Sequence, residues 1–573
     1  MRALIIFTLL SLCLVSLAVA GERKCDVGKT IIYDMPAEEQ IARYGKLAGQ
    51  DLTPEDLAMI AADNFTGDTL RLLAILVEWD DRPGTWDREV FDSMLFSRDV
   101  YPGGSLADYI YEVSYGQVTM TGDVIDWVNG GEYDPHFPFS TLLEPLDSII
   151  DYSLYDGDNN NKVDAVCFLR SGNGQELTHD TTDIWSFANI ETHWCCGPFD
   201  GVKVTRWHSC PETRPMQDSL DPRELSGEDT LINIRVFAHE LVHNLGLHDL
   251  YDYDNKLDTS TFTEQDANDH PLYDWCIMGY HGYHLLSYGS HIPSHPCGWS
   301  KCQLGWIEPL TIDDGFEGTI AIRDIETNAD SSLYKIPVGQ SGDEYYLLEY
   351  RNPNSSGTFD KFDSDFSCYF HPYLAIGGDL MDRGLLITHI DDSLCADGQW
   401  TCSNNGTPGK PHYVVAVEDA GYNPNRDASS NPGGHVTDSA QWWYPYECKK
   451  GALFSHDVEG QSEFSATTTP SSVPYSAYSP VYVRVDSIVG DRLYAYVSTQ
   501  YCCEVPGDAD HSGQFDILDL DFLIGYLYRN GEPPTCYEEA DPNGDGIISI
   551  LDLDYLSDFL YRGGPAPVPC PEW

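Results

Sequence analysis

The sequence feature that most constrains this chain is HELVH at residues 239–243, set within a stretch that has helical apolar periodicity. The apolar positions at 236, 237, 241, 242 and 245 give such a helix one face to bury. Two histidines four residues apart lie on the same side of a helix, so His239 and His243 can bind one Zn²⁺. Glu240 can take a proton from a zinc-bound water. The pattern therefore predicts a buried helix that carries a catalytic zinc site.

The residues after this helix predict the third zinc ligand. Gly246 can adopt the left-handed conformation that ends a helix and turns the chain. In metzincin peptidases, which the pattern resembles, the next ligand follows three residues later and is often a histidine. Here that position is Asp249, whose carboxylate oxygen is a good zinc ligand. His248, one residue earlier, is the alternative because imidazole is the softer ligand.

Residues 274–280 read DWCIMGY and resemble the Met-turn of metzincins, in which a methionine forms an apolar floor beneath the zinc. The resemblance gives that role to Met278. It also places Tyr280 where some metzincins carry a tyrosine that swings toward the metal. Its phenol can donate a hydrogen bond to the oxyanion of peptide hydrolysis. Plain core packing is the alternative for both residues, and the zinc motif upstream favours the functional interpretation.

Two C-terminal segments, 508–519 and 541–552, match at an offset of 33 residues. Oxygen-bearing residues recur at loop positions one, three, five, nine and twelve, with glycine at six, as in calcium loops. Residues 505–573 hold 14 acidic and 2 basic residues, a charge that opposes compaction unless cations bind. The predicted calcium ligands are Asp508, Asp510, Ser512, Gln514, Asp516 and Asp519 in the first loop, and Asp541, Asn543, Asp545, Ile547, Ser549 and Asp552 in the second.

A further acidic loop precedes a predicted strand near residue 163. Its oxygen-bearing side chains stand at alternate positions, which suits calcium, whereas an Asx-rich turn is the equally weighted alternative. The possible calcium ligands are Asp156, Asp158, Asn160 and Asp164.

Charge and cysteine content indicate where the protein acts. The formal charge of −60 argues against nucleic-acid binding, which needs basic patches, and suits a protein that holds several hard cations. Residues 1–20 have the charged start, short apolar run and small-residue end of a signal peptide. No second apolar run is long enough to span a membrane. We therefore expect an exported chain, secreted or attached to the cell surface.

Removing residues 1–20 leaves 16 cysteines, an even number that predicts up to eight disulfides in an oxidising compartment. Cys502 and Cys503 are adjacent, so each is expected to bond elsewhere. Cys25 lies at the start of a predicted prosegment, where a thiol can ligate a catalytic zinc and keep an enzyme latent. An ordinary disulfide is the preferred interpretation of Cys25, because a free thiol there would leave a second odd cysteine.

The order of apolar runs predicts an α+β multidomain fold. Buried-strand runs at 70–77 and 163–169 flank a helix at 105–115, which indicates an α/β layered domain. Six short strands separated by turn residues indicate a β-rich second half. The predicted divisions are a signal peptide (1–20), a prosegment (21–68), a zinc peptidase domain (69–310), a β-rich domain (311–500) and a small all-α calcium-binding repeat domain (505–573).

Taken with the zinc helix, the motifs at 108–117, 172–176, 183–186, 349–352 and 384–391 resemble secreted metallopeptidases of the immune inhibitor A type. That family implies a prosegment, a metzincin-like catalytic domain with an aspartate as third ligand, and β-rich domains after it. Tyr280 and the high cysteine content depart from the family pattern.

The duplicated loop–helix unit resembles a type I dockerin, whose partner is a cohesin domain. The resemblance implies partner contacts at loop positions ten and eleven and further along each helix. Many dockerins carry hydroxyl residues at ten and eleven, whereas this chain has apolar pairs. The implied contact residues are Ile517, Leu518, Arg529, Ile550, Leu551 and Arg562.

These observations predict a secreted zinc endopeptidase that hydrolyses extracellular proteins or peptides and is attached through a calcium-loaded module. The competing interpretation is a non-catalytic cohesin-binding or surface protein with a purely structural zinc site. A structural site is closed by four protein ligands, whereas a catalytic one retains a water. Glu240 beside three predicted ligands favours catalysis.

Overall fold

A computed structural model describes most of the chain but not all of it. The predicted signal peptide, Cys25 and Tyr280 lie outside the described residues, as does most of the predicted prosegment. The described residues are 30–32, 51, 53, 56, 65–178, 180–191, 197–217, 225–251, 272, 275–279, 293–338, 342–352, 383–395, 413–418, 420, 453–456, 461–466, 468, 470–472, 480–529 and 531–570.

A seven-stranded mixed sheet forms the first half, in the order β1-β5-β6-β4-β2-β3, with β7 paired to β6. The central strands β3, β2, β4 and β6 are parallel, and β1, β5 and β7 are antiparallel to their neighbours. Residues 72–77 of β2 are fully buried because the sheet is covered on both faces. The strands are β1 (Thr30–Ile32), β2 (Thr69–Glu78), β3 (Thr119–Asn129), β4 (Ala165–Asn173), β5 (Phe187–Glu191), β6 (Arg206–Gln217) and β7 (Leu225–Leu231).

The helices of this half begin and end at residues that satisfy their backbone groups. Ser105 and Asp108 form a capping box at the start of α2, and Gly116, with φ +74°, follows its end. Helix α5 packs against β5, β6 and α2. The helices are α1 (Arg88–Phe96), α2 (Leu106–Val113), α3 (Leu143–Leu146), α4 (Gln175–Thr178), α5 (Ile234–Asn244) and α6 (Gly298–Gln303).

The second half is built from two further sheets, of five strands (β13-β12-β11-β10-β8) and four strands (β14-β15-β16-β9). Neighbouring strands are antiparallel except β8 and β10. The strands are β8 (Leu310–Thr311), β9 (Glu317–Arg323), β10 (Leu333–Val338), β11 (Glu344–Arg351), β12 (Gly384–Asp391), β13 (Val415–Val417), β14 (Glu463–Phe464), β15 (Tyr482–Val489) and β16 (Arg492–Ser498).

The fold is mixed α/β and rich in sheet, as the sequence predicted, with 24% helix, 31% strand and several separate sheets. The largest buried cluster draws residues from both sides of position 310. Leu241 and Met278 pack in the same cluster as Leu347 and Leu386 of the five-stranded sheet. That sheet therefore packs directly against the part of the chain that carries the HELVH helix.

The C-terminal repeat forms two 13-residue helices, α7 (Ile517–Arg529) and α9 (Ile550–Arg562), separated by the short helix α8 (Tyr537–Ala540). The sequence predicts these helices at 520–528 and 553–561, and each begins three residues earlier. Leu523 and Leu556, which are related by the repeat offset of 33, are both fully buried in this module's core. Among the described helices, none combines the length and the apolarity that crossing a membrane requires.

The cysteines only partly follow the prediction. Cys502 bonds to Cys536 and Cys503 bonds to Cys570, so each adjacent cysteine does bond elsewhere. The expectation of up to eight disulfides is too high, because five cysteines in the described part of the chain are free thiols. These are Cys167, Cys210, Cys276, Cys297 and Cys302.

A buried histidine on β12 lies between two carboxylates, one on β11 and one directly after β13. His389 contacts Glu344 Oε1 through Nε2 at 2.8 Å and Glu418 Oε1 through Nδ1 at 3.2 Å. Burial lowers the pKa of His389, but the hydrogen bonds and charges of both glutamates outweigh it and raise this pKa to about 9. The imidazolium form is therefore the one that the fold stabilises.

This arrangement predicts a pH-dependent loss of stability. The folded-state pKa of His389 lies above its ordinary value of 6.5, so its stabilising contribution is complete below pH 6.5 and is lost as pH rises through about 9. We expect the unfolding midpoint in denaturant to fall between pH 6.5 and 9.5. The fall should be smaller in His389→Gln, and an equal fall in both proteins would contradict this role.

Candidate metal centres

Helix α5 brings the HELVH residues into the protein interior. Asn233 caps its start, where the side-chain oxygen accepts a hydrogen bond from the Arg235 N–H at 3.0 Å. One face of the helix is buried against the first sheet, and each large apolar side chain there contributes about 1.5–3 kcal/mol to folding. His239, Glu240 and His243 are buried with it. Packing of the apolar face of α5 thus fixes the positions of His239, Glu240 and His243.

Three donor atoms of this region converge. The Nε2 atoms of His239 and His243 are 3.2 Å apart. Asp249 Oδ1 lies 3.6 Å from the first and 3.3 Å from the second. The structure thus places Asp249, the residue predicted from spacing, against both imidazoles.

Two backbone carbonyls orient the imidazoles. His239 Nδ1 donates to the Ile277 carbonyl oxygen at 2.7 Å, and His243 Nδ1 donates to that of Leu247 at 2.8 Å. Because Nδ1 carries the proton in both rings, Nε2 presents its lone pair toward Asp249. This is the tautomer that a metal-binding histidine needs.

The chain after α5 turns so that Asp249 returns to the helix. Gly246 has φ +114°, a conformation that a side chain would strain, and its N–H donates to the His243 carbonyl at 2.9 Å. The Leu250 N–H then donates to the Met278 carbonyl at 2.8 Å. That bond fixes the ligand-bearing segment against the turn at 275–279.

Met278 is fully buried in the main core, which fits both the predicted role beneath the metal and plain core packing. Its turn is held from the other side by Arg351 of β11, whose Nη2 donates to the Trp275 carbonyl at 2.8 Å. Arg351 Nε also donates to Glu349 Oε1 at 3.0 Å. The five-stranded sheet therefore supports the turn that orients His239.

The converging donors suit zinc in type and in spacing. Two imidazole nitrogens and one carboxylate oxygen are a common set for zinc sites. With metal–ligand bonds of about 2.0–2.1 Å, the donors of a tetrahedral site are about 3.3 Å apart. The observed separations of 3.2–3.6 Å match that edge length. The cluster can therefore hold a metal ion.

The first C-terminal loop is closed by its own carboxylates. Asp508 Oδ2 accepts from the Gly513 N–H at 2.5 Å, and Asp519 Oδ2 accepts from the Asp516 N–H at 2.7 Å. Asp508 Oδ1 and Asp510 Oδ1 both accept from the Ser512 N–H, at 2.9 and 3.1 Å. Together with the bond from the Asp510 N–H to Asp519 Oδ1 at 3.2 Å, these bonds bring Asp508, Asp510 and Asp519 together in one loop.

The second loop repeats the arrangement at the offset of 33. Asp541 Oδ2 accepts from the Gly546 N–H at 2.8 Å, and Asp552 Oδ2 accepts from the Ser549 N–H at 2.7 Å. Asn543 and Asp545 each accept from the backbone N–H two residues on. Burial, with the charges of Asp541 and Asp545, raises the pKa of Asp552 to about 7. The carboxylates are therefore crowded enough that a cation would stabilise their charged form.

The loop at 156–164 has a similar geometry. The carboxylates of Asp156, Asp158 and Asp164 lie within 4.8 Å of one another. Asp156 accepts from the Asn160 and Asn161 N–H groups, and Asp164 accepts from that of Gly157. Burial raises the pKa of Asp164 to about 7. The four predicted residues thus share one loop that could hold a cation.

The residues implied as partner contacts lie on the module surface. Ile517, Leu518, Ile550 and Leu551 are each 59–62% exposed, although all are apolar. Arg529 and Arg562 are also exposed and pair with aspartates of their own helices. Ile517 and Leu518 form an apolar patch at the beginning of α7. Ile550 and Leu551 form the equivalent patch at the beginning of α9.

Sequence reasoning missed the groups that orient the zinc ligands. The Ile277 and Leu247 carbonyls belong to the backbone, so no side-chain pattern could identify them. Sequence reasoning also missed that Cys167, His208 and Cys210 meet in the interior. The close spacing of His208 and Cys210 was the one local signal, and it does not predict Cys167.

Comparison with models of known protein families gave no match, and comparison with curated proteins gave no significant match.

The geometry predicts which neighbouring residue binds the metal. Asp249→Ala should weaken zinc binding by at least about 10–100-fold, because it removes an oxygen that faces both imidazoles. His248→Ala is the matched neighbouring control and should keep wild-type affinity. Competition with a chromophoric zinc chelator measures both. Zinc binding lost in the His248 variant alone would reverse the assignment.

The repeat predicts two separable calcium sites in the C-terminal module. Asp508→Ala should remove one site and Asp541→Ala the other, since each carboxylate closes its own loop. Calcium titration of the full chain by calorimetry counts the sites, and each variant controls for the other. Unchanged stoichiometry in both variants would refute the calcium assignment.

Proposed function

We propose that this chain is an exported zinc endopeptidase of the immune inhibitor A type, attached through a dockerin-like calcium-binding module. The observation that carries the proposal is the convergence of His239, His243 and Asp249, with Glu240 on the same buried helix. The three donor atoms are spaced as in a tetrahedral zinc site, and backbone carbonyls orient both imidazoles. Both features support a bound zinc.

A zinc ion held by these three residues would polarise the scissile carbonyl and lower the pKa of a water to about 7. Glu240 follows the first ligand on α5 and is fully buried. Its carboxylate takes a proton from the attacking water and delivers it to the leaving amine nitrogen. We assign oxyanion stabilisation to Tyr280, whose phenol would donate one hydrogen bond.

The proposed substrate class rests on the resemblance to zinc peptidases and on the predicted export signal. A water activated by a metal ion and a general base can hydrolyse amide bonds, and export would bring the chain to extracellular proteins and peptides. The β-rich half contributes by holding the turn of Met278 through Arg351. We therefore assign it a supporting role in the catalytic site as well as any binding role of its own.

The C-terminal module is proposed to attach the enzyme to a cohesin-type partner. Its two apolar patches, built on Ile517 and Leu518 and on Ile550 and Leu551, are exposed and equivalent. Exposed apolar pairs of this kind are typical of a contact surface. Calcium would hold both loops closed and keep these patches in register.

The test of catalysis is a single substitution. Glu240→Gln should keep zinc but lose casein hydrolysis by about 10²–10⁴-fold, the usual contribution of a general base. The amide has nearly the shape of the carboxylate but cannot accept the proton. Activity is measured on metal-loaded protein, with and without chelator.

Glu89→Gln makes the same chemical change on an exposed position of α1 and should leave hydrolysis unchanged. Near-normal casein hydrolysis by Glu240→Gln would contradict the peptidase proposal. Zinc binding with no hydrolysis by the mature wild-type protein would favour a structural zinc site instead.

A further inference from the structure

A second cluster of metal-binding side chains lies inside the first sheet. Cys167 is on β4, and His208 and Cys210 are on the neighbouring parallel strand β6. All three side chains are fully buried. The two Sγ atoms and an imidazole nitrogen lie within 4.8 Å of one another. The sheet thus places two thiols and an imidazole around one point.

The imidazole of His208 is held in a fixed orientation. Its Nδ1 is 2.7 Å from Asn244 Oδ1, and Asn244 Nδ2 donates to the Trp207 carbonyl at 3.3 Å. The amide oxygen therefore faces the ring, so Nδ1 carries the proton and Nε2 carries a lone pair. Within the described part of the chain, His208 Nε2 is buried without an oxygen or nitrogen donor, and the group that interacts with this imidazole is the Cys167 thiol. A buried lone pair that faces only a weak thiol donor is unfavourable, and a bound cation would offset that cost.

A disulfide is the competing explanation for two neighbouring cysteines, and the strand register opposes it. Cys167 pairs with His208, and Cys210 pairs with Leu169, so the two cysteines are diagonal neighbours two residues apart. Two residues along a parallel strand span about 6.6 Å and neighbouring strands lie about 4.8 Å apart, so such diagonal Cα atoms are about 8 Å apart. Disulfides need Cα atoms closer than about 7 Å, whereas a metal bridges sulfurs through two bonds of about 2.3 Å.

We propose that Cys167, His208 and Cys210 form a second metal site, which binds a thiophilic d¹⁰ cation, Zn²⁺ or Cu⁺. Thiolate and imidazole ligands select these ions over calcium or magnesium. Binding releases the two thiol protons, and the cation offsets the resulting negative charges in the interior. This site shares no ligand with the His239–His243–Asp249 centre.

The position of the site suggests a structural role. Asn244, which orients His208, directly follows His243 at the end of α5. Arg206 of β6 also donates from Nη1 to the Asn244 carbonyl at 2.5 Å. A cation bound here would therefore tie β4 and β6 to the end of the helix that carries both proposed zinc-binding histidines.

The test uses Co²⁺ as a spectroscopic probe, added to reduced, metal-depleted full-length protein. Thiolate-bound Co²⁺ gives an intense sulfur-to-metal charge-transfer absorption, which a site of histidines and carboxylate does not give. We expect this absorption in the wild type and its removal by Zn²⁺ or Cu⁺. It should be lost in Cys167→Ser and in Cys210→Ser, and should need about 10–100-fold more Co²⁺ in Asn244→Leu, which removes the group orienting His208.

Two controls separate this site from the rest of the chain. Cys302→Ser removes a free thiol outside the cluster and should keep the absorption. His243→Ala disables the proposed catalytic zinc site and should also keep it. The wild-type measurement does not depend on any variant folding, so its lack of charge-transfer absorption would overturn the proposal. A Cys167–Cys210 disulfide in a non-reduced digest of the secreted protein would overturn it as well.

Discussion

Two hydrogen bonds from imidazoles to backbone carbonyls determine the arrangement on which the candidate zinc site depends. His239 donates to Ile277 and His243 donates to Leu247, so each ring turns its Nε2 toward Asp249. Helical spacing alone places two histidines on one face but leaves their rings free to rotate. Because one carbonyl belongs to the turn of Met278 and the other to the segment after α5, the site forms only when these segments are correctly packed.

The β-rich half is part of that packing. Arg351 binds the Trp275 carbonyl, and Glu349, its neighbour on β11, accepts from the Gly298 N–H at 2.7 Å. Arg351 is almost fully buried, where an arginine must be paired to offset its lost hydration. The charge pair thus holds the Met278 turn and the start of α6 against the same sheet. A change in the second half can therefore act on the proposed catalytic site without touching it.

Electrostatics govern the C-terminal module in a different way. Its acidic side chains converge in two loops, where burial raises the pKa of Asp519 to about 6 and of Asp552 to about 7. Such crowding opposes the charged state until a cation binds. The disulfides from Cys502 and Cys503 close the module at its start, so covalent links and calcium would act together on a core too small to be stable alone.

The sequence by itself determined the features that follow from local spacing. Helical period predicted that His239 and His243 share a face, and the offset of 33 predicted two equivalent loops and helices. Apolar runs predicted β2, β4 and six of the nine described strands of the second half, but not β8, β10 or β14. Tertiary structure alone decided which carbonyls orient the imidazoles, which cysteines pair, and that Cys167 meets His208 and Cys210. These depend on strand register and on contacts between distant segments, and one residue of register moves a side chain to the opposite face of a sheet.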